Sequence, residues 1–297
     1  MINTLKKNHD IIVADKKIKE RIKGVKYVEC DITKPEEVKE LIKDDYYIYH
    51  LAAIIDETIP KKKMFDVNVD GTLNILQACK EKKINRLVYL STTGVMGETE
   101  EKSDENSPYD PETNYEKSKA LAENHVREYY KRYKIPVIII RSALVYGPNN
   151  YWLKIVKKAQ KSFPILGSGQ NKIHFIYVKN LMKALLKART KGKDGEIYLV
   201  ADENPTTYEE FYKILREELG VEKEPSKIPI FIAKMIAFFY KIFGKKSIVS
   251  KEHIERLTRN RNYDIKKARK ELTYKPKYNL RKGIKETIKY FKKEQLL

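Results

Sequence analysis

The run Val137-Ile138-Ile139-Ile140 is four apolar residues with no polar alternation. A strand wet on one face alternates apolar and polar residues, so an unbroken apolar run reads as a strand buried on both faces. Short strand patterns of the same kind occur at residues 10–15, 25–29, 46–51 and 86–91. Helical patterns fill the intervals: from Pro35 to about Lys43, with Thr33 as its expected cap, then residues 61–83 and 111–134. Strands alternating with helices predict an α/β fold, a doubly wound parallel sheet covered on both faces. Ligands of such sheets collect beyond the carboxyl ends of the strands. Asp15, Asp31, His50-Leu51-Ala52-Ala53, Ser91-Thr92 and Arg141-Ser142-Ala143 all fall at such ends.

After Gly147-Pro148 the alternation loosens. A helix near 151–161, a loop holding Gly167-Ser168-Gly169, a strand at 173–178, a helix at 179–190 and a strand at 195–200 come first, and the chain beyond Pro205 reads as mostly helical. The expected organisation is a nucleotide-binding domain over 1–148 and a smaller, mostly helical substrate-side domain over 149–297, with some chain exchange between them. Residues 230–243 are apolar apart from Lys234 and Lys241, seven apart on one helical face. This segment is too short to span a bilayer. It can pack in the core, cap an apolar substrate pocket, or make a peripheral membrane contact.

Within the pattern at 111–134, Tyr115 and Lys119 stand one helical turn apart, so an ammonium can sit beside a phenol. A nearby positive charge favours the phenolate, and such a pair can act as a general acid/base. The spacing alone is not informative, because the chain holds four Tyr-x-x-x-Lys pairs, starting at Tyr115, Tyr130, Tyr263 and Tyr278. Position has to single one out.

The net charge of +20 raises the question of a nucleic-acid partner. The lysines are spread along the chain and interleaved with Glu, which disfavours nucleic acid and fits anionic small-molecule substrates better. Cys30 and Cys79 are far apart in sequence and the five His are scattered, so neither a disulfide nor a metal site is expected. The N-terminus lacks an apolar signal region, which makes the cytoplasm the expected location.

Together the strand-end residues resemble the extended short-chain dehydrogenase/reductase superfamily, and within it the NAD-dependent epimerase/dehydratase group. The matching stretches are Cys30-Asp31-Ile32, His50 to Ala53, Asn68 to Thr72, Ser91 to Gly97, Tyr115 to Lys119, Arg141 to Pro148, Gly167 to Gly169, Asn262-Tyr263-Asp264 and Lys267-Ala268. The resemblance implies a Rossmann-like fold and roles for particular residues. Tyr115 is then the acid/base, Lys119 lowers its pKa and holds the cofactor ribose, and Thr92 binds the substrate oxygen. Asp31 and Ile32 line the adenine. Leu51, Ala52 and Ala53 approach the cofactor with little bulk, and Asn68 and Ala143 belong to the same cofactor-binding set. Asp15 takes the ribose hydroxyls and repels a 2′-phosphate, which favours NAD over NADP, although Lys16 and Lys17 follow it.

Two departures qualify the resemblance. Family members begin with a strand and a Gly-x-x-Gly-x-x-Gly turn that cradles the pyrophosphate, whereas the first glycine here is Gly24. The expected explanation is a start placed too late, with a real loss as the alternative. Second, Ile173-His174 stand where nucleotide-sugar enzymes of the group usually carry Arg-Asp, and this resembles the hydroxysteroid-dehydrogenase-like and flavonol-reductase-like branch. The functional expectation is an NAD-dependent oxidoreductase or epimerase acting on a secondary alcohol or ketone carbon, of a nucleotide sugar or related substrate. A dehydrogenase of a less polar alcohol, or a non-catalytic binding protein that retains the fold, are the alternatives. The resemblance also implies a homodimer through the helices at 61–83 and 111–134.

Overall fold

The computed structural model describes residues 1–99, 101–161, 164–222, 224–242, 254 and 258–297, with the backbone alone for 237–242. Four parallel strands form the main sheet: β3 (Tyr47–His50), β4 (Arg86–Thr92), β5 (Val137–Ser142) and β10 (Ile197–Val200), in the order β10-β5-β4-β3. The continuous apolar run at 137–140 is explained by this arrangement. Leu87, Tyr89, Val137 and Ile139 face one core, with Leu76, Cys79, Ala122 and Val126. Val88, Ile138 and Ile140 face the other, with Ala184, Leu185 and Ala188. The first core lies under α4 (Gly71–Lys80) and α5 (Asn114–Tyr133), the second under α7 (Val178–Lys191).

Strands β1 (Ile12–Asp15) and β2 (Lys26–Glu29) pair in parallel with each other as a separate two-stranded sheet. Among the described residues, β1 and β3 therefore each keep one edge without a strand partner.

Short strands make up the second half. β6 (Leu144–Tyr146) pairs with β9 (Phe175–Tyr177), β7 (Ile165–Leu166) with β12 (Lys227–Ile228), and β8 (Lys172–Ile173) with β11 (Thr206–Thr207). Their aromatic core gathers Tyr146, Trp152, Phe175, Tyr177, Phe211 and Tyr212 under α6 (Asn150–Gln160), α8 (Tyr208–Leu219) and α11 (Leu280–Lys293). Between them lie α9 (Ile230–Ile242) and α10 (Lys266–Glu271). Phe243, the last residue of the apolar segment, lies outside the described residues. β10 and α7 come from this half yet complete the first sheet, so the chain crosses between the two cores.

Helix starts follow local chemistry, with one correction. The helix α2 (Pro35–Leu41) begins at Pro35, but Thr33 does not cap it. The Thr33 hydroxyl instead donates to Asp31 Oδ1 at 2.8 Å, satisfying a turn rather than the helix. By contrast α5 carries a full capping box: Glu116 N–H donates to Thr113 Oγ1 at 3.2 Å and Thr113 N–H to Glu116 Oε2 at 3.1 Å. This starts the helix at Asn114, three residues later than the sequence pattern implies.

Candidate active site

The end of β4 and the start of α5 are held together by local contacts. Thr92 is the last residue of β4, and the chain then turns through a short 3₁₀ segment, Thr93–Met96. Gly94 N–H donates to Thr92 Oγ1 at 3.1 Å. A Cβ on Gly94 would lie 2.8 Å from the Glu116 side chain, so only glycine lets the turn press this closely on α5. Gly97 adopts φ +67°, in the left-handed region, where the turn closes on Asp110.

Tyr115 occupies the first turn of α5, and its N–H donates to Glu57 Oε1 at 3.0 Å, a cap from the loop after β3. The half-buried phenol has its pKa pushed up, by desolvation first and then by the Glu116 and Glu57 carboxylates. The expected lowering by Lys119 is thus not what this structure shows. Lys119 is buried, and its ammonium sits 4.1 Å over the ring of Tyr89, a cation–π contact that draws the charge inward. Burial brings the Lys119 pKa down to about 7, with Glu123 opposing the shift.

Asn68 lies in a π-helical turn, Asp66–Asp70, between α3 (Lys61–Phe65) and α4. Such turns are rare and recur at functional sites. Its side chain bridges two elements. Oδ1 accepts from Ile54 N–H at 2.7 Å, and Nδ2 donates to Ile54 O and to Ser118 Oγ, both at 2.9 Å. The Ser118 hydroxyl donates onward to Tyr115 O at 2.7 Å. Asn68 therefore fixes the loop after β3 against the first turn of α5.

Behind these residues, the Thr72 hydroxyl donates to Asn68 O at 2.7 Å, so His50 Nε2, 2.9 Å from Thr72 Oγ1, carries the proton and donates. Burial, with Lys119 nearby, holds His50 neutral with a pKa of about 3. Glu57 escapes the sequence reading altogether, and His50, Thr72 and Ser118 lie in matching stretches without an assigned role.

A profile of the NAD dependent epimerase/dehydratase family matches residues 2–201. The chain belongs to that family. The members are enzymes, and the family's cofactor is NAD. The Arabidopsis thaliana 3beta-hydroxysteroid-dehydrogenase/decarboxylase isoform 1 is 30% identical over 293 residues, covering 90% of this chain and 67% of the relative. The human dTDP-D-glucose 4,6-dehydratase is 30% identical over 283 residues, 90% of this chain and 75% of the relative. Among solved structures, a Thermotoga maritima UDP-glucose 4-epimerase with UDP-glucose superposes with a TM-score of 0.82 at 23% identity, over 99% of this chain and 94% of that one. A Bacillus anthracis dTDP-glucose 4,6-dehydratase in complex with NAD gives 0.78 at 22% identity, over 100% and 94%. At these identities the superpositions establish the Rossmann-like fold.

The strand-end residues of this family member offer an exposed apolar surface and two carboxylates, which fits the adenosine part of a dinucleotide. Leu51 and Ile55, beyond β3, are 43% and 65% exposed, and Ala52 is open beside them, an apolar wall that a planar ring would cover. Asp15 is exposed at the end of β1 and accepts from Lys17 N–H at 3.1 Å. Asp31, just beyond β2, is paired with Lys16 and accepts from Thr33, which holds its pKa down to about 2. Ile32 packs against Gly71 at the start of α4. Ala53 is half-buried, whereas Ala143 is buried between β5 and β6, its N–H donating to Val200 O at 3.0 Å. Of the expected set, Asn68, Lys119 and Ala143 are buried.

Proposed function

We propose that the protein catalyses reversible, NAD-dependent oxidation at a secondary alcohol carbon, with nucleotide sugars as the substrate class. The observation that carries this reading is the hydroxyl pair Thr92 and Tyr115 on packed neighbouring elements, backed by a buried lysine. Thr92 Oγ1 already accepts from Gly94 N–H, which leaves its proton to donate to the substrate oxygen. Tyr115 exchanges the hydroxyl proton of the alcohol. Lys119, buried one turn further along α5, is assigned to the hydroxyls of the cofactor ribose. NAD supplies the hydride acceptor. If the oxidised carbon is reduced again on its other face, the same residues carry out an epimerisation.

NAD rather than NADP is supported by Asp15 at the end of β1 and by Lys16. The Lys16 ammonium is committed to Asp31 instead of being free for a 2′-phosphate. Following NADH absorbance with nucleotide sugars and sterol-like alcohols as substrates tests the assignment. The Tyr115→Phe protein should give no signal, and a normal rate in it sinks the reading.

A less polar alcohol is the second reading, favoured by α9, where Phe231 is 65% and Met235 53% exposed. The 30% identity to a 3beta-hydroxysteroid-dehydrogenase/decarboxylase points the same way. His174 offers no charge to a diphosphate. Burial brings its pKa down to about 4, its ring stacks on Tyr263, and its Nε2 is 3.1 Å from Asp202 O. The same exposed face of α9, flanked by Lys234, supports peripheral membrane contact. Among the described residues no helix is long and apolar enough to cross a membrane.

We further propose a homodimer through α4 and α5, supported by the exposed Leu121 and Tyr133 on α5. The division at residues 148/149 is supported by the aromatic core, whose buried residues other than Tyr146 all come from beyond it. A cytoplasmic location is supported by the two free, buried thiols Cys30 and Cys79.

A further inference from the structure

A cavity of about 500 Å³ opens between residues 4–9, α7 and the loop 273–277, sharing no lining residue with the candidate active site. That volume is in the range of small-ligand sites. Lys183, Lys187, Arg189, Lys275 and Lys277 line it, and no carboxylate does. The polar partners these cations find are neutral. Lys187 Nζ donates to Thr273 Oγ1 at 3.3 Å, and Lys191 Nζ donates to the same hydroxyl at 3.0 Å. Arg189 reaches His9 Nε2 at 3.0 Å and stacks over the Tyr47 ring, while its Nε is buried without an acceptor.

A second feature is conformational. Thr273, which receives both ammonium groups, has φ +50°. A β-branched residue is rarely found in the left-handed region, and strain of this kind clusters at ligand sites. Lys183 is held below its ordinary pKa first by burial and then by the positive charges of Lys277, Lys282 and Lys179. An anion in the cavity relieves that repulsion. A monocarboxylate would neutralise one of five charges, whereas a polyphosphate neutralises most of them and offers several acceptors to the ammonium groups and the guanidinium.

We propose that this cavity is a second ligand site, which takes the phosphate groups of a small phosphorylated molecule. Its occupant is either a free polyphosphate or the polyphosphate of a nucleotide, and the two are separable by direct binding.

Isothermal titration of the full chain with inorganic pyrophosphate and, separately, with ATP tests the site. The Lys183→Gln/Lys277→Gln protein is the test variant. The control is Lys154→Gln/Lys157→Gln, which removes the same charge from exposed positions on α6. Binding should weaken at least tenfold in the test variant and stay unchanged in the control and in Tyr115→Phe. Tighter binding of ATP than of pyrophosphate identifies a nucleotide occupant, and equal binding identifies the phosphates alone. The proposal is overturned by equal losses in test and control variants, by no loss in either, or by no binding of pyrophosphate or ATP. Capture of RNA with indifference to both small ligands also overturns it.

Discussion

Arg141, at the end of β5, donates from Nε and NH2 to Glu123 Oε1 at 3.0 and 2.8 Å, joining the sheet to the middle of α5 in the interior. Both side chains are buried, and Glu123 also accepts from Ser91 at 2.6 Å and from Tyr109 at 2.7 Å. The carboxylate thus sets how α5 lies on β4, and with it the relation of Tyr115 to Thr92. Removing one partner leaves the other charge buried and unpaired. Glu123→Gln should therefore lose about 3–5 kcal/mol of stability, read from chemical denaturation. An unchanged midpoint would mean that the pair is not closed in solution.

Tyr115→Phe removes a single hydroxyl from a side chain whose ring packing is retained. Loss of a general acid/base lowers kcat by roughly 10²–10⁴-fold. KM and NADH affinity, measured by fluorescence titration, should stay close to wild type. Because burial raises the phenol pKa, oxidation by the wild type should accelerate as pH rises toward the alkaline range. In the Phe variant the residual rate should lose that dependence.

Asn68→Ala deletes three hydrogen bonds that tie the Ile54 loop to Ser118. Each buried bond left half-made costs about 1–3 kcal/mol, so the loop should loosen before the whole chain unfolds. Hydrogen exchange should accelerate for amides at 52–58 and much less for those of β4 and β5. Weaker NADH binding should accompany it.

How far these features could be read in advance depended on whether they are local. The run at 137–140 signals a doubly covered strand because each residue reports its own burial, and the structure places it there. The capping box of Thr113 and Glu116 is equally local, yet the helical pattern alone starts that helix at residue 111, three residues early. The bond from Asn68 to Ser118 spans 50 positions, and that from Tyr115 to Glu57 spans 58, so no local pattern announces them. Thr33 illustrates the opposite failure: two local partners competed for one hydroxyl, and Asp31 won over the helix. Helical spacing sets Lys119 beside Tyr115, whereas its ammonium lies over the ring of Tyr89, which belongs to a strand that such spacing does not contain.

That ammonium leads to the last prediction. The folded-state pKa of Lys119 is about 7, whereas an unfolded lysine titrates at about 10.4. Between those values the unfolded chain holds more protons than the folded one, so stability rises with pH across this window. Below pH 7 the full cost of burying the charge is present, and above the unfolded pKa it is gone. Lys119→Met keeps the length of the side chain and removes the charge. Replacing a buried ion by an apolar group is stabilising by about 1–4 kcal/mol in comparable sites. The variant should be more stable than the wild type near pH 6, and the difference should shrink steadily toward pH 10. Its turnover should fall sharply, since the cofactor ribose loses its donor ammonium. Denaturation midpoints measured across that pH range provide the check, and a constant offset between the two proteins would show that Lys119 is not desolvated as described.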